Sequence, residues 1–337
     1  MKFLITGGLG FIGTNLIKFL IEHYDHEILN LDKVTYASNF FNNKKFSNYK
    51  FYNFVKGDIS DKNLVKKLLE DFKPDFIMNL AAESHVDRSI SCPDAFVNTN
   101  ILGTYNLLIN ARDYWVNLSG EKKRNFRFHH ISTDEVYGSI HQGDLFNESS
   151  PYRPNSPYAA SKASSDHLVR AWNKTYNLPT LISNCSNNYG PYQCPEKLIP
   201  LIILNALKNK KLPIYGNGLQ IRDWLHVNDH VKALYIIVTK GEIGETYNVG
   251  ANNQISNINL VKMICNFLDS EISKKPKNLN SFNELISYVS DRPGHDICYG
   301  INPEKLFNQL GWKPETDFKL GIEATIKWYL DNCFLYD

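Results

Sequence analysis

A chain of 337 residues, 43% apolar and 21% charged, has the composition of a globular protein and the length for more than one ordinary domain. Its formal charge of +2 excludes a generally basic nucleic-acid surface, so any anion site must be local, and no apolar run approaches the roughly 18 residues that span a bilayer. The six scattered cysteines, with no Cys-x-x-Cys pair, argue against zinc and fit reduced thiols in a cytoplasm.

Residues 2–6 read as a short β-strand, too short for the apolar region of a signal peptide. Gly7, Gly8, Gly10 and Gly13 follow, interleaved with Leu9, Phe11 and Ile12, and a helix is predicted from Ile12 to Tyr24. Strand, glycine turn and helix form the context for dinucleotide binding. Glycines let the backbone approach a pyrophosphate, and the helix N-terminus supplies N–H groups and a positive dipole end. A second apolar run, Glu27 to Leu31, ends in Asp32, 19 residues after Gly13. A carboxylate there accepts from ribose hydroxyls and repels a 2′-phosphate, so NAD is preferred to NADP; only the adjacent Lys33 pulls the other way.

The alternation continues with a strand at Phe51–Val55 and a helix at Asp61–Phe72. Asp58 between them either accepts from an adenine amino group or serves the helix N-terminus with Asp61. A strand at Asp75–Leu80 ends in Ala81-Ala82-Glu83-Ser84-His85, whose small residues leave room for a cofactor. A long helix, Phe96–Tyr114, carries Thr99 and Asn100. The strand Phe126–Ile131 then delivers Ser132-Thr133-Asp134-Glu135 to the carboxyl edge of the sheet, where ligands bind in open α/β folds.

Tyr158 and Lys162 open a helix running to Tyr176, and their i,i+4 spacing puts them on one face. A cationic Lys beside a phenol favours the phenolate, so Tyr158 is expected to act as a base below its free pKa of about 10. Thr133 would hydrogen-bond the same substrate oxygen. This set suits an alcohol deprotonated while its hydride leaves, and it leaves Asp134 and Glu135 needing a second task.

Further on, a strand at Thr180–Asn184 leads into Asn187-Asn188-Tyr189-Gly190-Pro191. A helix at Glu196–Leu207, a strand and turn at 212–218, the run Gln220–His226, a helix at Asn228–Thr239 and a strand at Glu245–Val249 follow. Ser256–Leu268 reads as helix; a Lys-rich link (Lys274, Lys275, Lys277) and the run Leu285–Val289 precede the turn Asp291–Asp296. Helices at Pro303–Leu310 and Phe318–Asp331 close the chain, which shows no internal repeat. His226 and His230 are spaced i,i+4 but lack a third ligand by spacing, so no metal is expected.

These segments together resemble the extended short-chain dehydrogenase/reductases over essentially the whole chain, and within them the nucleotide-sugar 4,6-dehydratases. The resemblance is carried by Thr6–Gly13, Ala81–Ile90, Ser132–Gly138, Tyr158-x-x-x-Lys162, Asn187–Tyr192, Arg222-Asp223-Trp224 and Asp291–Asp296. The glycine motif and Tyr-x-x-x-Lys mark only the superfamily. Thr133-Asp134-Glu135 is the sharper signal, because 4-epimerases of the same fold lack the acidic pair and need only the Tyr and Lys.

The resemblance implies a doubly wound parallel Rossmann sheet from residues 1–185 and 219–250, binding NAD, with a smaller mixed α/β lobe from 186–218 and 251–337 for the nucleotide sugar. It implies that Tyr158 takes the O4 proton of a hexose, that Glu135 removes the C5 proton as base, and that Asp134 protonates the departing 6-hydroxyl. The sequence alone permits the two carboxyls to exchange roles. Lys162 binds the nicotinamide ribose. Gly7, Gly10, Phe11, Ile12, Gly13, Asp32, Lys33, Thr35, Asp58, Ile59, Leu80, Ala81, Ala82, Thr99 and Asn188 are the further cofactor contacts expected. Arg222, Arg292 and Lys197 are expected to hold the substrate diphosphate, with Asn187 and His295 donating. Pro213 and Tyr215 would pack on a pyrimidine and Asn257 bond to the nucleotide, with Ser84, His85, Glu196 and Leu198 nearby. A thymidine nucleotide is preferred to a uridine one. A homodimer paired through Phe96–Tyr114 and Tyr158–Tyr176 is likewise implied; the alternative to an enzyme is a non-catalytic NAD-binding sensor or scaffold.

Overall fold

The computed structural model describes residues 1–141, 143–275 and 279–336; Lys277 of the Lys-rich link lies outside them. Seven strands form the main sheet. They are β1 (Lys2–Thr6), β2 (Glu27–Asp32), β3 (Tyr52–Lys56), β4 (Phe76–Asn79), β5 (Arg127–Thr133), β6 (Thr180–Cys185) and, from late in the chain, the strand Thr246–Val249. Their order is Thr246–Val249, β6, β5, β4, β1, β2, β3, and every pairing is parallel. The order reverses beside β1, so the carboxyl ends of β1 and β4 flank the switch point at which doubly wound sheets open a ligand crevice.

Side chains alternate across each strand, so a sheet covered on both faces reads as a continuous apolar run. Phe3 and Ile5 pack on one face with Leu16, Leu20, Val231 and Leu234. Leu4 and Ile77 pack on the other with Val65, Leu107, Val169 and Phe128. The first face is covered by the helices Phe11–His23 and Val227–Lys240, the second by Lys62–Phe72, Thr104–Val116 and Pro157–Tyr176.

The smaller lobe contains β7 (Asn187–Tyr189), β8 (Leu212–Tyr215), β9 (Ile221–His226), then, after Thr246–Val249 (β10), β11 (Gln254–Ser256) and β12 (Ile286–Val289). β9 lies between β7, parallel to it, and β11, antiparallel to it, and β12 pairs with β8. The interval 219–250 therefore serves both bodies, β9 in the small sheet and β10 in the large one. A separate core of Ile199, Ile203, Leu260, Ile264, Ile322 and Tyr329 supports this lobe.

One expectation needs correcting. The predicted single helix Phe96–Tyr114 is three pieces: a short α-turn Pro93–Phe96, a π-helical stretch Val97–Gly103, and an α-helix Thr104–Val116. The wider turn lies where Asn100 reaches out of the helix, donating to the Glu83 carbonyl at 3.0 Å and to Ser161 Oγ at 2.8 Å. Such insertions are frequent at functional sites. Among the described residues no helix is long and apolar enough to cross a membrane.

Candidate active site

The turn after β1 requires glycine for two separate reasons. Gly7 has φ 71°, and a Cβ on it would lie 2.7 Å from Ala81 backbone atoms at the end of β4. A Cβ on Gly13 would stand 2.3 Å from the Gly7 carbonyl oxygen. The turn thus lets the first helix begin against the sheet edge, as a pyrophosphate cradle requires. Asp32, at the end of β2, is held by the Leu9 amide (2.9 Å), the Val34 amide (2.8 Å) and Ser38 Oγ (3.1 Å). Lys33 bonds to Asp58 at 2.7 Å. Asp61, not Asp58, caps the helix Lys62–Phe72, accepting from the amides of Asn63 and Leu64.

Three adjoining cavities run along the sheet edge. The first is walled by Gly7, Asp32, Lys33, Thr35, Asp58, Ile59, Leu80, Ala81, Ala82 and Thr99. It shares Gly7 and Gly10 with a central cavity lined by Phe11, Ile12, Gly13, Ser84, Thr133, Asp134, Glu135, Tyr158, Lys162 and Asn188. The central cavity shares Glu135, Asn187, Glu196 and Lys197 with a third, reaching into the small lobe. His85, Leu198, Pro213, Tyr215, Arg222, Asn257, Arg292 and His295 line that third cavity. The expected cofactor and substrate contacts thus lie along one groove, with the Gly cradle between the first two cavities and three cationic side chains lining the third. Among the described residues no cluster of His, Cys, Asp or Glu side chains is placed to hold a metal ion. His226 instead accepts from the Asn228 amide, and His230 bonds to Asn188 Oδ1 at 2.9 Å.

Tyr158 and Lys162 project from the start of the helix Pro157–Tyr176, capped by Ser156, whose hydroxyl accepts from the Ala159 amide. Both side chains are buried. Burial lowers the Lys162 pKa, opposed by the Asp166 carboxylate one turn on, and its ammonium donates to the Ile131 carbonyl at 2.7 Å. Burial, with Glu135 and Cys185 nearby, pushes the Tyr158 pKa well up, and hydrogen bonding from Thr133 works against that rise. Lys162 does not supply the expected lowering in this arrangement. Its ammonium also lies 3.4 Å from His130 Nε2.

The acidic pair occupies the 3₁₀ turn Asp134–Tyr137 directly after β5, begun by Thr133, whose hydroxyl accepts from the Glu135 amide at 3.3 Å. Asp134 is 2% exposed, its Oδ2 has no partner among the described residues, and burial with the Glu135 and Asp223 carboxylates drives its pKa far up. Glu135 is only partly buried. Burial raises its pKa as well, but Lys197, Arg292 and Arg222 pull it back. The two carboxyls thus have unlike charge surroundings, which is the condition for one to act as acid and the other as base.

The third cavity is already partly cross-linked by its own residues. Arg222 donates to the carbonyls of Ile221 and Asp296 and stacks over the Tyr299 ring at 4.2 Å. Arg292 lies 3.5 Å from Asp87, which also accepts from Tyr215 at 3.1 Å, and Arg292 Nε has no partner among the described residues. Lys197 donates to the Ser84 carbonyl at 2.8 Å, Glu196 lies 3.8 Å from His85, and His295 bonds to Asp291 at 2.6 Å.

Several participants escaped the sequence reading. Tyr299 donates to Asp296 at 2.6 Å and lies 3.5 Å from Glu135, yet no spacing signal connects residues so far apart. Asp166 accepts from Ser132 at 2.8 Å and Tyr152 at 3.1 Å, and burial lifts its pKa to about 7. It lies one turn after Lys162, so the i,i+4 rule that paired Tyr158 with Lys162 would also have reached it.

Comparison with known proteins follows the same line. A family described as GDP-mannose 4,6 dehydratase matches residues 4–325. The chain is 54% identical over 341 residues to a dTDP-glucose 4,6-dehydratase of Escherichia coli, covering 98% of this chain and 94% of that one. It is 52% identical to the dTDP-glucose 4,6-dehydratase of Neisseria meningitidis, covering 98% and 94% of the two chains. Among solved structures, a Bacillus anthracis dTDP-glucose 4,6-dehydratase in complex with NAD superposes with TM-score 0.87 at 41% identity, covering 99% of this chain and 98% of that one. A UDP-glucuronic acid 4-epimerase of Bacillus cereus shares the fold with TM-score 0.85 at 25% identity, covering 98% and 100%.

Proposed function

Because the chain belongs to the family described as GDP-mannose 4,6 dehydratase, we propose that it is a dTDP-glucose 4,6-dehydratase, converting dTDP-glucose to dTDP-4-keto-6-deoxyglucose and water with NAD. The observation that carries this reading is the seating of Asp134 and Glu135 in the same cavity as Tyr158 and the glycine cradle. Epimerisation needs no such pair.

NAD, held by the Gly7–Gly13 turn and the Asp32 end of β2, supplies a hydride acceptor when bound. Tyr158 removes the O4 proton, with Thr133 lining the same cavity. The resulting C4 ketone acidifies the C5 hydrogen. Glu135, whose burial-raised pKa three cations pull back down, is the carboxyl that takes that proton as base. Asp134, enclosed and beside other carboxylates, is the one kept protonated and gives its proton to the leaving 6-hydroxyl. Arg292, Arg222 and Lys197 face the diphosphate from the small lobe, and Leu198, Pro213 and Tyr215 offer walls for the base. The exposed apolar side chains Val97, Leu102 and Tyr105 beside the helix Pro157–Tyr176 support a homodimer through these two segments, and the free cysteines fit a cytoplasmic setting.

Separate incubation with dTDP-glucose and UDP-glucose, scoring the alkaline absorbance of a 4-keto product, tests the reading. Product from dTDP-glucose supports it. A 4-epimerised sugar that keeps its 6-oxygen overturns it.

A further inference from the structure

Asp166 takes no step in the dehydration, yet it is 2% exposed and lies one helical turn after Lys162. The hydrogen bonds around it fix where the neighbouring protons sit. Thr6 Oγ1 donates to Asn79 Oδ1 at 2.7 Å, so the Asn79 amide nitrogen faces His130 Nδ1, 3.1 Å away, and donates to it. Nδ1 is therefore the acceptor of that ring. Burial holds the imidazole neutral, so its hydrogen is on Nε2. Two polar groups lie 3.4 Å from Nε2, the Lys162 ammonium and Asp166 Oδ1. An ammonium has no lone pair, which leaves the Nε2–H to Asp166. Asp166 Oδ1 has no hydrogen-bond partner among the described residues that would compete for it. The other oxygen, Oδ2, accepts from Ser132 Oγ at 2.8 Å and from Tyr152 at 3.1 Å. The Tyr152 oxygen itself accepts from Asn184 Nδ2 at 3.2 Å, so its own hydrogen must go to Asp166.

A neutral group at position 166 cannot keep this pattern. Oδ2 must stay an acceptor for Tyr152, so an added proton goes to the Oδ1 side, as would the NH₂ of an asparagine. There it meets the Nε2–H of His130, donor against donor. The ring then moves its hydrogen to Nδ1 and presents an Nε2 lone pair, which Lys162 can also reach. Lys162 lines the central cavity, and its ammonium donates to the Ile131 carbonyl. A second buried acceptor at His130 would draw it out of that cavity.

We infer that Asp166 is a positioning residue: by claiming the Nε2–H of His130 it denies Lys162 a second buried acceptor and keeps the remaining ammonium N–H groups for the cofactor cavity. The inference rests on the dehydratase reading for the task of Lys162, and it adds the residue that aims it. Asp166 acts through His130 and touches neither cofactor nor substrate.

The test sets wild type against Asp166→Asn, equal in shape and neutral, in the NAD-containing enzyme. Around position 166, burial holds His130 uncharged and Tyr137, Tyr152 and Cys185 protonated. Beside Lys162 itself, the Asp166 carboxyl, lifted to about 7 by burial, is thus the group that titrates near neutrality. Asp134 and Glu135 are present in both proteins and cancel in the ratio of rates. At about pH 8 the kcat of Asp166→Asn should fall on the order of tenfold or more, the scale of a displaced positioning group, with KM for dTDP-glucose little changed. The two rates should converge toward about pH 6, because the wild-type carboxyl then takes up a proton as well. Nitrogen-15 histidine spectra, with His130 assigned by its absence in His130→Gln, read the tautomer without activity. Nε2 should carry the hydrogen in wild type at about pH 8, lose it in Asp166→Asn, and lose it in wild type as pH falls through about 7. An unchanged His130 tautomer in Asp166→Asn, or a rate deficit that ignores pH, overturns the positioning role. Should Asp166→Asn fail to fold, wild type decides alone: a tautomer that holds across that pH range overturns it. Failure of wild type to form the 4-keto product overturns the dehydratase reading instead, and the tautomer still decides whether Asp166 claims the Nε2–H.

Discussion

Asp134 and Glu135 share a peptide bond and differ in charge environment. Asp134 is sealed under the end of β5, with an Oδ2 that has no partner among the described residues and two other carboxylates as neighbours. Glu135 is influenced by Lys197, Arg292 and Arg222 and has the hydroxyl of Tyr299 3.5 Å away. The 3₁₀ turn makes this possible, because successive side chains in so tight a helix point about a third of a turn apart.

Glu135→Gln is therefore expected to leave C4 oxidation in place while stopping proton removal at C5. Turnover should fall on the order of 10²-fold or more, the usual loss for a general base. The measurement is reduced cofactor absorbance on mixing with dTDP-glucose, paired with solvent deuterium exchange at C5. Loss of both together would show that Glu135 acts earlier.

Gly13→Ala should disrupt the cradle itself. Its Cβ would meet the Gly7 carbonyl oxygen at 2.3 Å and Gly8 Cα at 2.6 Å, both backbone and unable to swing aside. The variant should purify with little NAD, and overpacking should cost about 1–3 kcal/mol in a denaturant titration. Stoichiometric NAD in a variant of unchanged stability would contradict the cradle.

Arg292→Ala should mainly weaken substrate binding. Charge-assisted hydrogen bonds contribute about 1.5–3 kcal/mol, so KM for dTDP-glucose should rise on the order of 10- to 100-fold with a smaller change in kcat. Because Arg292 also pulls down the Glu135 pKa, the acidic limb of the rate profile, where Glu135 loses its proton, should move to higher pH. An unchanged KM would place the diphosphate elsewhere.

His230 gives a pH prediction for stability. Burial lowers its pKa from 6.5 to about 3. At pH above 6.5 both folded and unfolded chains hold it neutral, so it adds no slope. Below 6.5 only the unfolded chain takes the proton, and folding loses about 1.4 kcal/mol per pH unit from this residue. His230→Gln removes that loss. The stability difference, wild type minus variant, should shrink as pH falls from 6.5 to 4.5 in urea titrations. A constant difference would mean that His230 does not stay neutral when folded.

Much of this protein was legible in the sequence because it is local. The alternation of apolar runs with amphipathic helices, the glycines after β1, Asp32 at the end of β2 and the Tyr158–Lys162 spacing all act over a few turns or one strand. Local chain geometry is enough to place such residues, though the expected lowering of the Tyr158 pKa is not found. The split of the helix around Asn100 was not readable, because the widened turn answers to Glu83 and Ser161, which are far from it in sequence. The same holds for the charge field at the acidic pair. Arg222, Asp296, Tyr299 and Arg292 reach Glu135 only because β9 and the 291–299 segment fold back over the edge of the main sheet. The sequence by itself determined that two carboxyls would stand beside a Tyr and a Lys. Only the tertiary structure decided which of them is surrounded by cations and which is enclosed, since desolvation and Coulomb interaction depend on distances that chain spacing does not set.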